Sequence, residues 1–174
     1  MGLSLAWDLC KALLGAGLKL RQKRALEWVE MVRDNPEVFT GKLLENEEFQ
    51  DGFVYTLEKY LIERSEEKRK IFRNIFLGFS CSKNKERFDL EKYSFLLSQL
   101  SIEDVETLKY VNVNSVISYQ LFDDEIHLQN IYNLINLGIL YLDPSPRFGP
   151  IHSPFVLTSD LGKNFIKYIK HDTK

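Results

Sequence analysis

The fold class follows from residues 127–170, which read HLQNIYNLINLG (127–138), ILYL (139–142), DPSPRFGP (143–150), IHS (151–153), PFVL (154–157) and TSDLGKNFIKYIK (158–170). Apolar residues in the first part have the spacing of a helix with one apolar face: Leu128, Ile131, Tyr132, Ile135 and Leu137. Glycine adopts the left-handed conformation that often follows a helix without steric cost. We therefore predict that this helix ends at Gly138.

Two short apolar runs, 139–142 and 154–157, follow and have the composition of strands. The loop between them contains the prolines of DPSPRFGP, which exclude a helix there. Thr158 or Ser159 is the predicted N-cap of a final amphipathic helix that carries Leu161, Phe165, Tyr168 and Ile169. Helix, strand, loop, strand and helix, in this order, indicate a winged-helix-like element with a small β-hairpin. Such modules bind DNA or protein and rarely catalyse reactions.

The composition indicates a folded chain with little net charge and therefore no strong overall electrostatic field. With 174 residues, 44% of them hydrophobic, the chain can form one compact domain or two small subdomains. The net charge of −2 excludes the global basic field of a general nucleic-acid binder. Charge is nevertheless uneven, with a balance of +3 over residues 1–33 and −7 over residues 34–67. Cys10 and Cys81 lie far apart and are predicted to be reduced, in an intracellular protein.

Residues 3–20 form an unusual opening helix, in which a narrow polar stripe interrupts a wide apolar surface. Its apolar run 12–18 is far shorter than the about 20 residues that cross a bilayer. Two interpretations remain. The favoured one is a helix buried in the core or in a dimer interface, with Gly15 and Gly17 at a close packing point or a kink. The other is a helix in the membrane interface, with basic residues near anionic headgroups. Both use the predicted contact residues Leu5, Trp7, Leu9, Leu13, Leu14 and Leu18.

The middle of the chain predicts a helical bundle. The first helix continues through Val32 and is ended by Asp34-Asn35-Pro36. A second helix is predicted to begin near Glu47, and a third after an N-cap at Ser65, with an ion pair between Glu66 and Lys70. A fourth helix is predicted from near Leu90, and a fifth from the capping box formed by Ser101 and Asp104. The charge run 63–70 is interpreted as a solvated helix start, and 78–87 as a loop. For residues 112–125 the sequence allows two alternatives, a short strand or a linker that lies on the core. We divide the chain into an amphipathic helical segment (1–33), a helical bundle (34–111) and a winged-helix-like module (112–174).

Three segments together resemble a known family: ERSEEKRKIFRNIFLG (63–78), LSQLSIEDVETLK (97–109), and IYNLINLGIL (131–140) followed by LTSDLGKNF (157–165). Their order resembles that of Abi-alpha-like prokaryotic proteins, a group of unknown biochemical function associated by name with abortive phage infection. The resemblance covers roughly residues 45–170 and leaves the first helix outside. It implies a prokaryotic or mobile-element setting and a part in phage defence. Because the family has no established catalytic residues, it implies none in this chain.

The sequence contains no recognisable catalytic or metal-binding motif. A glycine-rich phosphate loop, a cysteine pair at metal spacing and a His-Glu-x-x-His motif are all missing. His127, His152 and His171 are isolated from one another in the sequence. The acidic cluster of Glu45, Glu47, Glu48 and Asp51 is more typical of a solvated helix N-terminus than of an ion site. We therefore predict a protein that is not an enzyme, with no catalytic or metal-ligating residues, no cofactor and no small-molecule substrate.

Nucleic-acid binding is a weaker alternative. The helix 127–138 has no Lys or Arg, although Gln129, Asn130, Asn133 and Asn136 have the chemistry that reads base edges. Asp123, Asp124 and Glu125 precede it and would repel phosphates. Since neutralising the phosphate backbone supplies most non-specific affinity, this helix is a poor DNA reader. The candidate contacts are Arg147, Lys163, Lys167 and Lys170.

The sequence thus predicts a mainly α protein: an N-terminal helical bundle with a C-terminal winged-helix-like element. Its expected function is a non-enzymatic regulatory or protein-interaction role linked to phage defence. The N-terminal helix would mediate self-association or membrane contact. The alternative is a winged-helix DNA-binding transcriptional regulator. Expected partners are a protein or a second copy of the chain, and a membrane surface, with nucleic acid disfavoured. The expected location is the cytoplasm, including the inner face of the membrane.

Overall fold

The computed structural model describes residues 3–36, 45–81, 87–114, 117–118, 125–143 and 155–169. The helices in these ranges are α1 (Leu3–Asp34), α2 (Glu47–Ile62), α3 (Glu66–Cys81), α4 (Arg87–Gln99), α5 (Ile102–Asn114), α6 (Glu125–Asn136) and α7 (Asp160–Ile169). The strands are β1 (Ile117–Ser118), β2 (Leu140–Asp143) and β3 (Phe155–Thr158). The described chain is therefore mainly α with a small antiparallel sheet, which confirms the coarse prediction.

Contacts within the chain group it into two compact units, Met1–Glu91 and Lys92–Lys174. The boundary between them lies inside α4. Neither limit of the predicted segments, at 33/34 or at 111/112, coincides with it. The first unit contains α1 together with α2 and α3, and the second contains α5, α6, α7 and the sheet.

Local capping sets the helix ends of the first unit. The side chain of Asn46 accepts a hydrogen bond from the Phe49 backbone N–H at 2.8 Å and begins α2. Ser65 accepts one from the Lys68 N–H at 3.2 Å and begins α3. The predicted ion pair between Glu66 and Lys70 is present, at 3.3 Å. α1 ends at Asp34, as predicted from the Asp-Asn-Pro sequence.

The core of the first unit is aromatic and centres on Trp28, which is 1% exposed. The ring of Trp28 lies 5.0 Å from that of Tyr60 and 5.1 Å from that of Phe76, and Phe53 meets Phe76 edge to face. Aromatic pairs of this geometry stabilise a core beyond their buried area. They join the C-terminal half of α1 to α2 and α3.

The second unit contains an antiparallel sheet in the order β1-β3-β2. Val156 of β3 pairs with Ile117 on one side and with Leu142 on the other. Gly138 has a φ of 71°, the predicted left-handed conformation after α6. Segment 112–125, left open by the sequence, contains the end of α5 and the short strand β1.

The start of α7 is locked against the start of β2. The hydroxyl of Ser159 caps α7 by accepting from the Gly162 N–H at 3.1 Å, as expected for one of the two predicted caps. The same hydroxyl lies 2.7 Å from the carbonyl oxygen of Gly138 and 2.9 Å from that of Ile139. A Cβ at Gly162 would clash with the Ile139 carbonyl oxygen, so the position requires glycine.

One prediction about the first unit is wrong: the interval 78–87 is not a loop throughout, because α3 continues to Cys81 and α4 begins at Arg87. A Cβ at Gly15 or Gly17 would meet no described atom within 4 Å, so neither marks close packing against the described part of this chain. Close packing in a dimer interface and a kink stay predictions. The side chains of Cys10 and Cys81 lie outside the described part of the chain, so their reduced state stays a prediction.

Candidate functional site

The middle of α1 is exposed over seven consecutive residues. Each residue from 17 to 23 is exposed, and seven consecutive residues cover about two turns, so the helix is exposed on every side. Leu18 and Leu20 within this segment are 61% and 49% exposed. Among the described side chains of α1, burial begins at Arg24 and continues at Trp28 and Met31. We call residues 17–23 the free segment.

The free segment is strongly cationic. Its sequence, GLKLRQK, contains Lys19, Arg21 and Lys23 and no acidic residue. These cations alternate with the two exposed leucines along the helix. Leu18 and Leu20 are about 200° apart around the helix axis, so the free segment presents an exposed leucine on each of two nearly opposite faces.

Polar contacts anchor α1 immediately after the free segment. Arg24 is 7% exposed, and its Nη1 donates to the carbonyl oxygen of Leu61 at 2.6 Å. The Tyr60 hydroxyl donates to Glu27 Oε2 at 2.8 Å, and Arg69 Nε lies 3.8 Å from the same oxygen. One face of α1 is thus held by the end of α2 and the start of α3.

The turn between α2 and α3 is built from buried charges. Lys68 Nζ lies 2.8 Å from Glu63 Oε2, with side chains only 11% and 15% exposed. The other carboxylate oxygen of Glu63 accepts from the Ser65 N–H at 2.8 Å. Arg69 Nη1 donates to the carbonyl oxygens of Glu63 and Arg64. The interpretation of residues 63–70 as a solvated helix start is therefore wrong for Glu63 and Lys68, because the fold buries them as a pair.

This environment shifts two ionisable groups. Burial alone would raise the pKa of the Glu63 carboxyl, but hydrogen bonds from Lys68 and Ser65 and the Lys68 charge outweigh it, so the pKa is lowered. Burial, followed by the hydrogen bond to Glu27, raises the pKa of Tyr60 to about 12. Glu63 is thus kept ionised and Tyr60 protonated at neutral pH.

A groove of about 320 Å³ lies beside the anchor, between α1 and the end of α2. Its lining consists of Arg21, Glu58, Lys59, Leu61 and Ile62. Ile62 is 59% exposed, and the ammonium of Lys59 lies 5.4 Å from the centre of the Tyr55 ring. The groove therefore combines an apolar floor with two cations and one acid.

The predicted base-reading side chains of α6 are divided between two roles. Asn133 donates to the buried carboxylate of Asp104 at 2.8 Å, and Asn130 donates to the Thr107 hydroxyl at 3.2 Å. These two amides pack α6 against α5. Gln129 and Asn136 are exposed. Half of the expected reading set is thus engaged within the unit, which leaves few groups for base edges.

The predicted contact residues are only partly within the described side chains. Lys163 and Lys167 are exposed on one face of α7, where Lys163 pairs with Asp160 at 3.2 Å and Lys167 donates to Asn164 at 3.1 Å. Arg147 and Lys170 lie outside the described residues. Leu18 is exposed, whereas the side chains of the other predicted α1 contacts lie outside the described part: Leu5, Trp7, Leu9, Leu13 and Leu14.

Neither a metal cluster nor a spanning helix occurs in the described ranges. No group of three or more His, Cys, Asp and Glu side chains there is placed to hold a metal ion. None of the helices described is long and apolar enough to cross a membrane.

The sequence analysis does not predict the groove or the polar contacts of Arg24, Glu27, Tyr60 and Arg69 that anchor α1. The one local signal for the neighbouring ion pair is the placement of Glu63 and Lys68 on either side of the capping Ser65. Nothing in the sequence marks these charges as buried. No protein-family model matches the chain, and no curated protein and no solved structure matches it significantly.

Proposed function

We propose that this chain is a non-enzymatic interaction protein that acts through α1 in phage defence. One observation carries the proposal: residues 17–23 are exposed on all sides while they carry Leu18 and Leu20. Burying a leucine side chain is worth about 1.5–3 kcal/mol. The two leucines are about 200° apart around the helix axis, so a flat surface covers one of them and a partner that wraps around α1 covers both.

The polar anchor makes α1 suited to such a role. Arg24 and Glu27 hold the helix at one point, directly after the free segment. Because the helix is continuous through that point, the free segment is presented in a fixed conformation. A partner would then bind a preformed helix and would not need to order it.

The phage-defence setting rests on the resemblance to Abi-alpha-like proteins. The segments that carry this resemblance contain residues with structural partners, such as Ser65, Asp104 and Ser159. Groups used in caps and packing offer no nucleophile or general base. This favours an interaction role over catalysis, in the cytoplasm or at the inner face of the membrane.

Two kinds of partner fit the free segment: a second copy of the chain and an anionic membrane surface. The test compares the full chain with Leu18→Asp/Leu20→Asp by light scattering and by co-flotation with anionic liposomes. Val54→Asp/Val113→Asp is the matched control, since these valines are 54% and 69% exposed and lie on other helices. We expect the α1 variant alone to lose oligomers or flotation. If wild type and both variants are monomers that do not float, α1 is not a contact surface.

A DNA-binding regulator is the second candidate. The order of α6, β2, β3 and α7, with a sheet arranged β1-β3-β2, is compatible with a winged-helix-like module. Against it, α6 carries no Lys or Arg, and Asn130 and Asn133 are engaged with α5. A regulator would bind duplex DNA with an affinity that falls steeply with salt, and Lys163→Ala/Lys167→Ala would reduce that slope by about two phosphate contacts. Absence of binding at low salt would remove this candidate.

A further inference from the structure

We infer that the groove between α1 and the end of α2 binds the anionic headgroup of a bilayer phospholipid. Arg21 and Lys59 would contact the phosphate, while Leu61 and Ile62 would face the upper acyl region. This inference rests on the membrane-contact form of the proposed function. It adds a defined site and a preference for charged headgroups.

The groove has the cationic side chains and the apolar surface that a phospholipid headgroup and its upper acyl region require. Arg21 and Lys59 come from different helices and line the same space of about 320 Å³. An arginine presents a planar donor set that matches phosphate, and a lysine adds a compact positive charge. Ile62, which is 59% exposed, ends α2 at this groove and gives it an apolar edge open to the outside.

The anchor fixes the geometry of the groove. Arg24 lies one turn beyond Arg21 on α1 and donates to the carbonyl oxygen of Leu61, a lining residue. This hydrogen bond sets the distance between the two helices. Glu58 is the acidic residue of the lining, and its side chain is exposed to solvent on α2.

Charge favours a lipid surface over a second copy of the same surface. Arg21 of the free segment and Lys59 line the groove, and Lys19 and Lys23 are within two residues of Arg21 along α1. Two such surfaces would repel each other, whereas an anionic leaflet attracts all four cations. The exposed Leu18, one turn before Arg21, extends the apolar edge along α1.

The test is co-flotation of the full chain with vesicles of phosphatidylcholine alone and of phosphatidylcholine with phosphatidylglycerol. Arg21→Gln/Lys59→Gln removes the groove cations and keeps much of each stem. Lys163→Gln/Lys167→Gln removes the same charge from α7, and Lys19→Gln/Lys23→Gln removes it from α1 outside the groove. Each cation near an anionic surface contributes about fivefold, so the groove variant, which also loses both direct phosphate contacts, should bind more than about 30-fold more weakly. We expect the α7 variant to stay within twofold of wild type and the Lys19/Lys23 variant to lose less than the groove variant.

The outcomes separate the site from the broader function. If wild type floats with anionic vesicles but the groove variant floats equally well, the groove inference is overturned and the membrane role of α1 stands. Equal losses in the groove and α7 variants would also overturn it, since binding would then follow net charge alone. If wild type floats with neither vesicle, the inference and the membrane form of the function both fail. Arg21→Gln alone, at an exposed position, must weaken binding without changing the thermal midpoint.

Discussion

Replacing Lys68 with methionine tests whether the turn between α2 and α3 depends on its buried ion pair. The substitution keeps an unbranched side chain but removes the charge that faces Glu63 at 2.8 Å. Removing one partner of a fully buried pair costs about 3–5 kcal/mol. The Glu63 side chain is 15% exposed and keeps its bond from Ser65, so we expect a smaller loss, about 2–3 kcal/mol.

The loss should depend on pH with a definite sign. The folded pKa of Glu63 is below its usual value of 4.5, so its contribution to stability is present above that pH. It is lost as the pH falls through 4.5 towards the folded pKa. Lys68→Met removes the main cause of the lowered pKa. The difference in unfolding free energy between wild type and variant should therefore narrow between pH 7 and pH 3.

Urea unfolding followed by circular dichroism at several pH values measures this difference. Glu63→Gln and the double variant complete a double-mutant cycle, which isolates the coupling between the two side chains. Glu63→Gln retains an acceptor for the Ser65 N–H and serves as the control for that bond. A loss below about 0.5 kcal/mol in Lys68→Met, or a difference that is constant with pH, would refute the burial argument.

Three further predictions concern packing and ionisation. Gly162→Ala should destabilise the fold by about 2 kcal/mol or more because its Cβ would meet the carbonyl oxygen of Ile139, just before β2. Gly17→Ala should stabilise α1 by up to about 1 kcal/mol, and equal effects in thermal melts would contradict the structure. Asn133→Ala should cost about 1–2 kcal/mol, since it removes one of two donors to the buried Asp104 carboxylate and leaves the Ser101 N–H. The exposed Gln129→Ala should cost under about 0.5 kcal/mol, and urea unfolding would refute this if the order were reversed. Tyr60 should ionise with a pKa of about 12, so Tyr60→Phe should remove a late step from the ultraviolet titration; an unchanged titration at high pH would argue against its burial beside α1.

The features that could be predicted from the sequence are those with local causes. Caps at Ser65, at Ser101 with Asp104, and at Ser159 depend on groups three residues apart, and each makes the expected hydrogen bond. The end of the helix at Gly138 is predictable for the same reason, because it depends on the backbone conformation of that one residue. The two predicted strands are present but begin one residue later than their apolar runs, since cross-strand pairing sets their limits.

Candidate site residues were less predictable, because exposure depends on distant parts of the chain. Apolar spacing predicts a wide apolar face through residue 20, covered by the core, a dimer partner or a membrane, and the exposure of Leu18 and Leu20 excludes the core for these two residues. A periodic pattern identifies a face but not whether another element covers it. The charge run 63–70 was misjudged for the opposite reason, since charges usually indicate solvent and here Lys68 is buried beside Glu63.

By itself, the sequence determined the order of helices and strands, most of their ends, and the positive charge of the first helix. Each of these depends on propensity, spacing and caps within a few residues. Only the tertiary structure decided which side chains meet: Glu27 with Tyr60, 33 residues away, and Asp104 with Asn133, 29 residues away. Such pairs form because packing brings separate helices together, and that proximity is not encoded in any local pattern. It also decided that residues 17–23 stay exposed, the feature on which the proposed function depends.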